Sequence, residues 1–260
     1  MVSAKWFSLA LGFWFSATIF AQNPLLDASK LPDHLDTPAA APLPQLSPER
    51  RGDILMARKM YREAAETYKQ GSLDSAIVEN KIGIAYHQML QTDIARKYYE
   101  RAMKIDPGYA EATNNLGTIY YSRKSYRRAI KLYHRALKLA PDSASIYSNL
   151  GTAFFARKNY KQAAETYQKA LSLDPDVFEH RSSWGVMLQE RSVEERAKFH
   201  YYLAKTYAKA GMNERALLYI RKALEEGFAE RKKMMEDPEF VSLRKLPEFQ
   251  ELMAMEPRVL

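Results

Sequence analysis

The sequence predicts an all-α fold, a solenoid in which helical hairpins stack side by side. One observation is that residue types recur at a fixed period of 34 residues. A second is that apolar residues within each period follow the spacing of amphipathic helices. A third is the composition, because 47% hydrophobic and 27% charged residues in a chain of 260 favour a globular protein over a disordered or multi-span membrane protein.

The period is carried by six positions, each with the same kind of residue in three successive copies. Small residues recur where paired helices must approach closely, aromatic residues where gaps must be filled, and proline where a helix must stop. One hairpin cannot bury its apolar face, so several must stack. The recurring sets are Gly83, Gly117 and Gly151; Tyr86, Tyr120 and Phe154; Ala95, Ala129 and Ala163; Tyr99, Tyr133 and Tyr167; Ala102, Ala136 and Ala170; and Pro107, Pro141 and Pro175.

This order of small, aromatic and proline positions resembles the tetratricopeptide repeat, here in an exported bacterial protein. The resemblance implies a right-handed α-solenoid of about five hairpins over residues 45–228, because weaker copies flank the three clear ones. Gly52 and Tyr68 keep the spacing upstream, and Ala204 and Ala216 keep it downstream.

An insertion at residues 176–196 separates the fourth copy from the fifth, and the sequence does not predict its structure. Ser192 and Glu195 form a plausible capping box at the start of the next helix. His180 and His200 lie in or near the insertion, and they carry the alternative of a hidden enzyme.

The C-terminal residues 229–260 are predicted to cap the solenoid with short helices. Two similar segments begin at Pro238 and Pro247, and proline favours the first position of a helix. Asp237 is expected to be the N-cap of the first segment. The side chains expected to cover the last repeat are Phe240, Leu243, Phe249 and Leu252.

The N-terminal residues 1–21 have the layout of a signal peptide. Lys5 precedes an uncharged run of 15 residues, and Ala21 offers a small residue at the exit. Residues 22–44 contain five prolines and are predicted to be an extended linker. The expected location is therefore periplasmic or secreted. The alternative is an inner-membrane protein anchored by an uncleaved signal.

No motif for catalysis or cofactor binding is visible in the sequence. The ten glycines form no phosphate loop, cysteine is absent, and neither a His-Glu-x-x-His pair nor a Gly-x-Ser-x-Gly elbow occurs. We therefore predict a protein that is not an enzyme and that requires no cofactor and no metal.

The resemblance implies that the first helix of each hairpin lines a concave groove and that the protein is a non-catalytic interaction scaffold of the cell envelope. Polar and aromatic side chains in such a groove can hydrogen-bond and stack on an extended peptide or protein partner. Ile84 and Phe155 are expected to pack between repeats instead. The candidate partner-binding residues are Asn80, His87, Asn114, Thr118, Tyr121, Ser148, Thr152 and Lys205.

A basic edge is predicted at the turns between paired helices. Residues 110–176 contain 11 basic and 5 acidic residues, within a chain whose net charge is +8. The edge is either a solvated surface that keeps the protein soluble or a binder of an anionic polymer or membrane surface, and nucleic acid is not expected as a partner. Its residues are Arg123, Lys124, Arg127, Arg128, Arg157 and Lys158.

Overall fold

The computed structural model describes residues 46–179 and 192–255 of the chain. Within these ranges the chain is helical and contains no β-strand. The helices in these ranges are all too short or too polar to cross a membrane. The predicted signal peptide and linker, His180 and most of the insertion lie outside the described residues.

Ten helices of the described ranges form five hairpins, each an A helix followed by a B helix. Each A helix packs on its own B helix, and each B helix packs on the next A helix. The predicted all-α solenoid of about five hairpins is therefore confirmed. The pairs are α1 (Pro48–Ala57) with α2 (Tyr61–Tyr68), α3 (Ala76–Gln88) with α4 (Thr92–Ile105), α5 (Ala110–Ser122) with α6 (Tyr126–Leu139), α7 (Ala144–Ala156) with α8 (Tyr160–Leu173), and α9 (Val193–Lys209) with α10 (Asn213–Glu225).

The recurring glycines let each A helix approach the tyrosine of its own B helix. A Cβ atom at Gly117 would lie only 2.6 Å from Cε1 of Tyr133, whose side chain is fully buried. No side chain fits there beside the ring, so glycine and tyrosine at these two positions depend on each other. The same arrangement holds for Gly52 with Tyr68, Gly83 with Tyr99, and Gly151 with Tyr167.

The fifth hairpin fills the same space with different residues. Ala204 and Ile220 occupy the positions of the recurring glycine and tyrosine, and both are fully buried. Isoleucine has no ring to occupy the space in front of the A helix, so the methyl group of alanine is accommodated.

The turns between A and B helices share a left-handed residue just after the A helix. Lys124 has φ +57° and Leu90 has φ +60°. This conformation costs about 1–2 kcal/mol for a residue other than glycine. Lys59 and Lys158 repeat it in the first and fourth turns, and Gly211 provides it in the fifth without that cost.

Helix α9 begins with the predicted serine cap. The Ser192 hydroxyl accepts a hydrogen bond from the backbone N–H of Glu195 at 3.2 Å, which caps α9. Glu194 and Glu195 lie in its first turn, where the helix dipole favours negative charge.

The C-terminal cap consists of α11 (Arg231–Glu236), two 3₁₀ turns (Pro238–Phe240 and Leu243–Lys245) and α12 (Pro247–Ala254). The sequence did not indicate α11. The four apolar side chains expected to cover the last repeat are all buried in the same core cluster as α9 and α10. They are Phe240, Leu243, Phe249 and Leu252.

Asp237 occupies the predicted N-cap position of the first C-terminal segment, but it does not cap that segment with its side chain. Its carboxylate instead accepts a hydrogen bond from the Tyr201 hydroxyl and lies 2.9 Å from Nζ of Lys205, both on α9. A buried carboxylate gains more from a cation and a phenol than from one backbone N–H.

Candidate functional site

The A helices of successive hairpins lie side by side and form one surface, which we call the A-helix face. All eight candidate partner-binding residues lie on A helices of this face, in α3, α5, α7 and α9.

Asparagine side chains link three of these helices. Nδ2 of Asn149 in α7 donates to Oδ1 of Asn114 in α5 at 2.8 Å. Nδ2 of Asn115 in α5 donates to Oδ1 of Asn80 in α3 at 3.0 Å. Within α5, Asn114 donates to Oδ1 of Asn115 at 3.4 Å. These four residues form an asparagine ladder across the second, third and fourth hairpins.

Burial separates the candidate residues into two groups. Most of them are buried, and their polar atoms bond within the solenoid. The Thr118 hydroxyl donates to the carbonyl of Asn115 at 2.8 Å, and the Thr152 hydroxyl donates to the carbonyl of Ser148 at 2.9 Å. Ser148 and His87 are only partly buried and can touch a partner directly. The buried candidates are Asn80, Asn114, Thr118, Tyr121 and Thr152.

His87 lies near the B-helix tyrosine of its own hairpin. Its Nδ1 atom is 3.5 Å from the Tyr99 hydroxyl. Burial lowers the pKa of His87 below its ordinary value. The imidazole is therefore neutral at pH 7 and offers a partner hydrogen bonds rather than a charge.

The first end of the A-helix face carries a lysine held by two acids. Nζ of Lys81 lies 2.7 Å from Glu49 and 2.9 Å from Asp53. Burial alone would lower the pKa of Lys81, but the hydrogen bonds to both carboxylates outweigh it and raise the pKa. The Tyr68 hydroxyl also donates to Asp53 at 2.7 Å. This end is polar and close to charge balance.

The other end of the face is covered by the C-terminal cap. Lys205 pairs with Asp237 at 2.9 Å and with Glu239 at 3.3 Å. Tyr201, one helical turn before Lys205 on α9, is fully buried and stacks on Phe228 with 4.5 Å between ring centroids. These contacts give Lys205 a role inside the chain, and its contact with a partner stays a prediction.

His200 also has a partner within the fold. Its Nδ1 atom lies 2.7 Å from Oε2 of Glu226, beside Arg196. Burial lowers the pKa of His200 in spite of the opposing effect of Glu226. His180, the other histidine of the hidden-enzyme alternative, lies outside the described residues. His200 is therefore the one that the structure describes, and it links α9 to the end of α10. Within the described residues no group of three or more histidine and acidic side chains could hold a metal ion.

The residues of the predicted basic edge come together at the turns of the third and fourth hairpins. All six are exposed. Nη2 of Arg123 lies 2.6 Å from Oδ1 of Asp93, which places this turn beside the start of α4. The guanidinium of Arg128 lies over the ring of Tyr120 at 5.7 Å. A shallow depression of about 540 Å³ is lined by Lys124, Ser125, Tyr126, Arg127, Arg128 and Arg157.

A second depression of about 570 Å³ lies between these turns and the start of α9. Tyr160 stacks on Tyr202 at 4.6 Å, and the ammonium of Lys198 lies 4.8 Å from the Tyr160 ring. Lys124 and Lys158 supply positive charge to its rim, and Glu194 and Glu195 supply negative charge.

Comparison with known proteins decides the nature of the repeats. Two family models described as tetratricopeptide repeat match residues 80–130 and 108–176. The chain contains tetratricopeptide repeats. No curated protein matches the sequence.

Solved structures of MamA resemble the chain in fold. "Crystal structure of MamA" is 21% identical, covers 70% of this chain and 96% of its own, and superposes with a TM-score of 0.46. "MamA 41-end from Desulfovibrio magneticus RS-1" is 19% identical, covers 70% of this chain and 94% of its own, and gives a TM-score of 0.47. Neither likeness bears on the function of this chain.

Sequence reasoning missed three residues that shape the A-helix face of these tetratricopeptide repeats. Asn115, Asn149 and Lys81 each follow a predicted residue by one position. For the two asparagines the signal was a second spacing of 35 residues, which joins Asn80 to Asn115 and Asn114 to Asn149. Lys81 had no such periodic signal, because its partners Glu49 and Asp53 lie at other separations. A contact between stacked helices does not need equivalent positions, so a search at the repeat period alone cannot find it.

Proposed function

We propose that this chain is a non-catalytic scaffold of the bacterial cell envelope that binds an extended segment of a protein partner along the A-helix face of its second to fourth hairpins. Tetratricopeptide repeats support an interaction scaffold in general. The asparagine ladder supports the more specific proposal.

The ladder leaves hydrogen-bonding capacity at the surface. Asn115 is partly exposed, and its amide uses one N–H toward Asn80 and one acceptor site toward Asn114. A primary amide has a second N–H and a second lone pair. Because an extended backbone presents both donors and acceptors, it can pair with the remaining N–H and lone pair of Asn115.

Neighbouring side chains extend this polar surface along the face. Ser148 in α7, and Gln88 and His87 in α3, are partly exposed on either side of Asn115 along the hairpin series. Each end of the face carries a lysine paired with acids, Lys81 at one end and Lys205 at the other, whereas Asn115, Ser148 and Gln88 between them carry no charge. These uncharged amide and hydroxyl groups favour recognition of a partner's backbone over recognition of its charge.

The groove is tested by site-specific photo-crosslinking in the native organism. A photoreactive phenylalanine analogue at Ser148 is expected to capture a defined partner, which mass spectrometry then identifies. The same analogue at Lys138, exposed at the end of the B helix α6, is the matched control and should capture none of it. Equal capture from both positions would contradict binding along the A-helix face.

Steric block of the face provides the second measurement. Ser148→Arg is expected to lower the affinity for the captured partner at least about tenfold, with an unchanged unfolding midpoint because the site is partly exposed. Lys138→Glu serves as the control. If the partner binds Ser148→Arg as tightly as it binds the unaltered protein, binding along the A-helix face is refuted.

The envelope location is supported by the pattern of residues 1–21. N-terminal sequencing of the protein recovered from the envelope fraction is expected to begin at Gln22. Recovery from the cytoplasm with Met1 still present would contradict both export and cleavage.

A further inference from the structure

The turns of the second, third and fourth hairpins form a continuous edge, which we call the turn edge. The Arg123–Asp93 pair joins the second turn region to the third. The depression lined by Lys124, Arg127, Arg128 and Arg157 joins the third turn to the fourth. The turn edge therefore comprises residues 89–94, 123–131 and 157–161.

The charge of the turn edge is strongly one-sided. Residues 123–131 contain five basic and no acidic residues, and residues 157–161 contain three basic and no acidic residues. The first turn of α6 has no acid although the helix dipole favours one there, and it carries Arg127 and Arg128 instead. Asp93 is the acidic residue within the edge, and Arg123 engages it.

An apolar tip stands at one end of this cationic surface. Leu90 is 69% exposed and adopts the left-handed backbone conformation that lysine or glycine adopts in the other four turns. Ile94 lies one helical turn along the chain and is also exposed. The folded chain gains little packing from Leu90, because most of the residue is exposed to solvent and its backbone is strained.

We infer that the turn edge docks on an anionic lipid bilayer, with the basic side chains among the headgroups and Leu90 inserted at the boundary of the acyl chains. Basic residues near an anionic membrane surface attract its lipids, and a neighbouring apolar side chain adds hydrophobic burial. Tyr126 and Tyr160 are partly exposed within the edge, and tyrosine favours the interface between water and lipid.

This inference goes beyond the proposed function. Binding at the turn edge uses residues other than the asparagine ladder, so the A-helix face can hold a protein partner while the edge rests on a membrane. The two activities are therefore separable by mutation.

The test is co-sedimentation of residues 45–260 with lipid vesicles. This part of the chain is a compact unit with its own core, and its use removes the predicted signal peptide, which would insert by itself. Vesicles of phosphatidylethanolamine with phosphatidylglycerol are compared with vesicles of phosphatidylcholine. We expect binding to the anionic vesicles only, and its loss as the salt concentration rises well above about 0.1 M.

Two variants separate the two contributions. Arg127→Gln with Arg128→Gln removes two cations and is expected to lower the partition coefficient about 25-fold, at about fivefold for each. Leu90→Asn removes the apolar tip and is expected to lower it about tenfold. Because asparagine tolerates positive φ better than leucine, this variant should fold at least as well as the unaltered protein.

Matched controls lie at the opposite ends of the B helices. Lys104→Gln with Lys138→Gln removes two exposed cations there, and Leu139→Asn removes an exposed leucine. Both controls should bind the anionic vesicles as the unaltered protein does. Circular dichroism of each variant verifies its helicity.

Several results would overturn the inference. One is equal binding to anionic and neutral vesicles, or to neither. Another is unchanged binding by Leu90→Asn, which would leave only charge attraction. A third is tight binding to soluble polyglutamate with no binding to vesicles, which would assign the turn edge to an acidic polypeptide.

Discussion

Substitution of alanine for Gly117 tests whether glycine and tyrosine set the spacing of the hairpins. Alanine is favoured over glycine in a helix by about 1 kcal/mol, so on propensity alone Gly117→Ala stabilises α5. The new Cβ atom, however, would lie 2.6 Å and 2.9 Å from two ring carbons of Tyr133. Carbon atoms attract at about 3.5–4.0 Å, so both contacts are strongly repulsive.

The ring has nowhere to move, because Tyr133 is fully buried. Overpacking of this kind costs about 1–3 kcal/mol, and we take the upper end because neither backbone nor ring can yield. After the gain in helix propensity, Gly117→Ala should lower the free energy of unfolding by about 2 kcal/mol. Urea unfolding followed by circular dichroism measures this as a lower midpoint with an unchanged slope.

The fifth hairpin suggests the compensating change. Ala204 and Ile220 occupy the equivalent positions there, so Tyr133→Ile should make room for alanine at residue 117. The hydroxyl of Tyr133 is buried without a hydrogen-bond partner among the described residues, so its replacement by isoleucine removes no hydrogen bond to them. We expect the double variant to be no less stable than Tyr133→Ile alone, a coupling of about 2 kcal/mol.

Gly108→Ala is the matched control, because that glycine lies in an exposed turn and its nearest neighbour is a flexible carboxylate at 3.2 Å. Its effect should stay within about 0.5 kcal/mol. If Gly117→Ala is as stable as the unaltered chain, or if Tyr133→Ile does not reduce its cost, the explanation of the repeat by glycine and tyrosine is refuted.

Three further changes test other parts of the structure. Glu79 is 3% exposed, one of its oxygens lacks a hydrogen-bond partner among the described residues, and burial raises its pKa. Glu79→Gln should therefore stabilise the chain by about 1 kcal/mol at pH 7, and thermal unfolding across pH should show this gain vanish as the pH falls below the ordinary value of 4.5, where the carboxyl is protonated in both states. Burial alone would raise the pKa of Asp237, but the proton shared with the Glu239 carboxyl and the hydrogen bonds from Tyr201 and Lys205 lower it below its ordinary value of 3.8. Asp237→Asn should cost about 2 kcal/mol at pH 7, with faster hydrogen exchange in residues 231–254, and the difference should disappear as the pH falls through that lowered pKa. Lys124→Gly relieves a left-handed lysine and should raise the unfolding midpoint slightly, whereas Lys131→Gly, inside α6, should lower it.

Much of the fold could be predicted because its determinants are local and periodic. The hairpins follow from small, aromatic and proline residues that recur every 34 positions, and each of these acts on its own or the adjacent helix. The start of α9 was equally predictable, because a serine cap forms its hydrogen bond within the next three residues of the chain.

The parts that sequence could not predict depend on contacts between distant residues. Asp237 has the local context of a helix cap. Its carboxylate instead contacts Tyr201 and Lys205, which lie more than 30 residues away on α9. The burial of Asn114 and Thr118 likewise depends on how closely the neighbouring hairpins stack. Local chemistry therefore indicated which residues are polar and grouped, while tertiary packing decided which of them reach the surface.

The cap also limits how this chain could assemble with others. Hairpin arrays can lengthen by docking the first hairpin of one molecule on the last hairpin of another, as if the superhelix simply continued. Here Phe240, Leu243, Phe249 and Leu252 already occupy the apolar side of the terminal hairpin. Head-to-tail filament growth through that end would require the C-terminal segment to detach first.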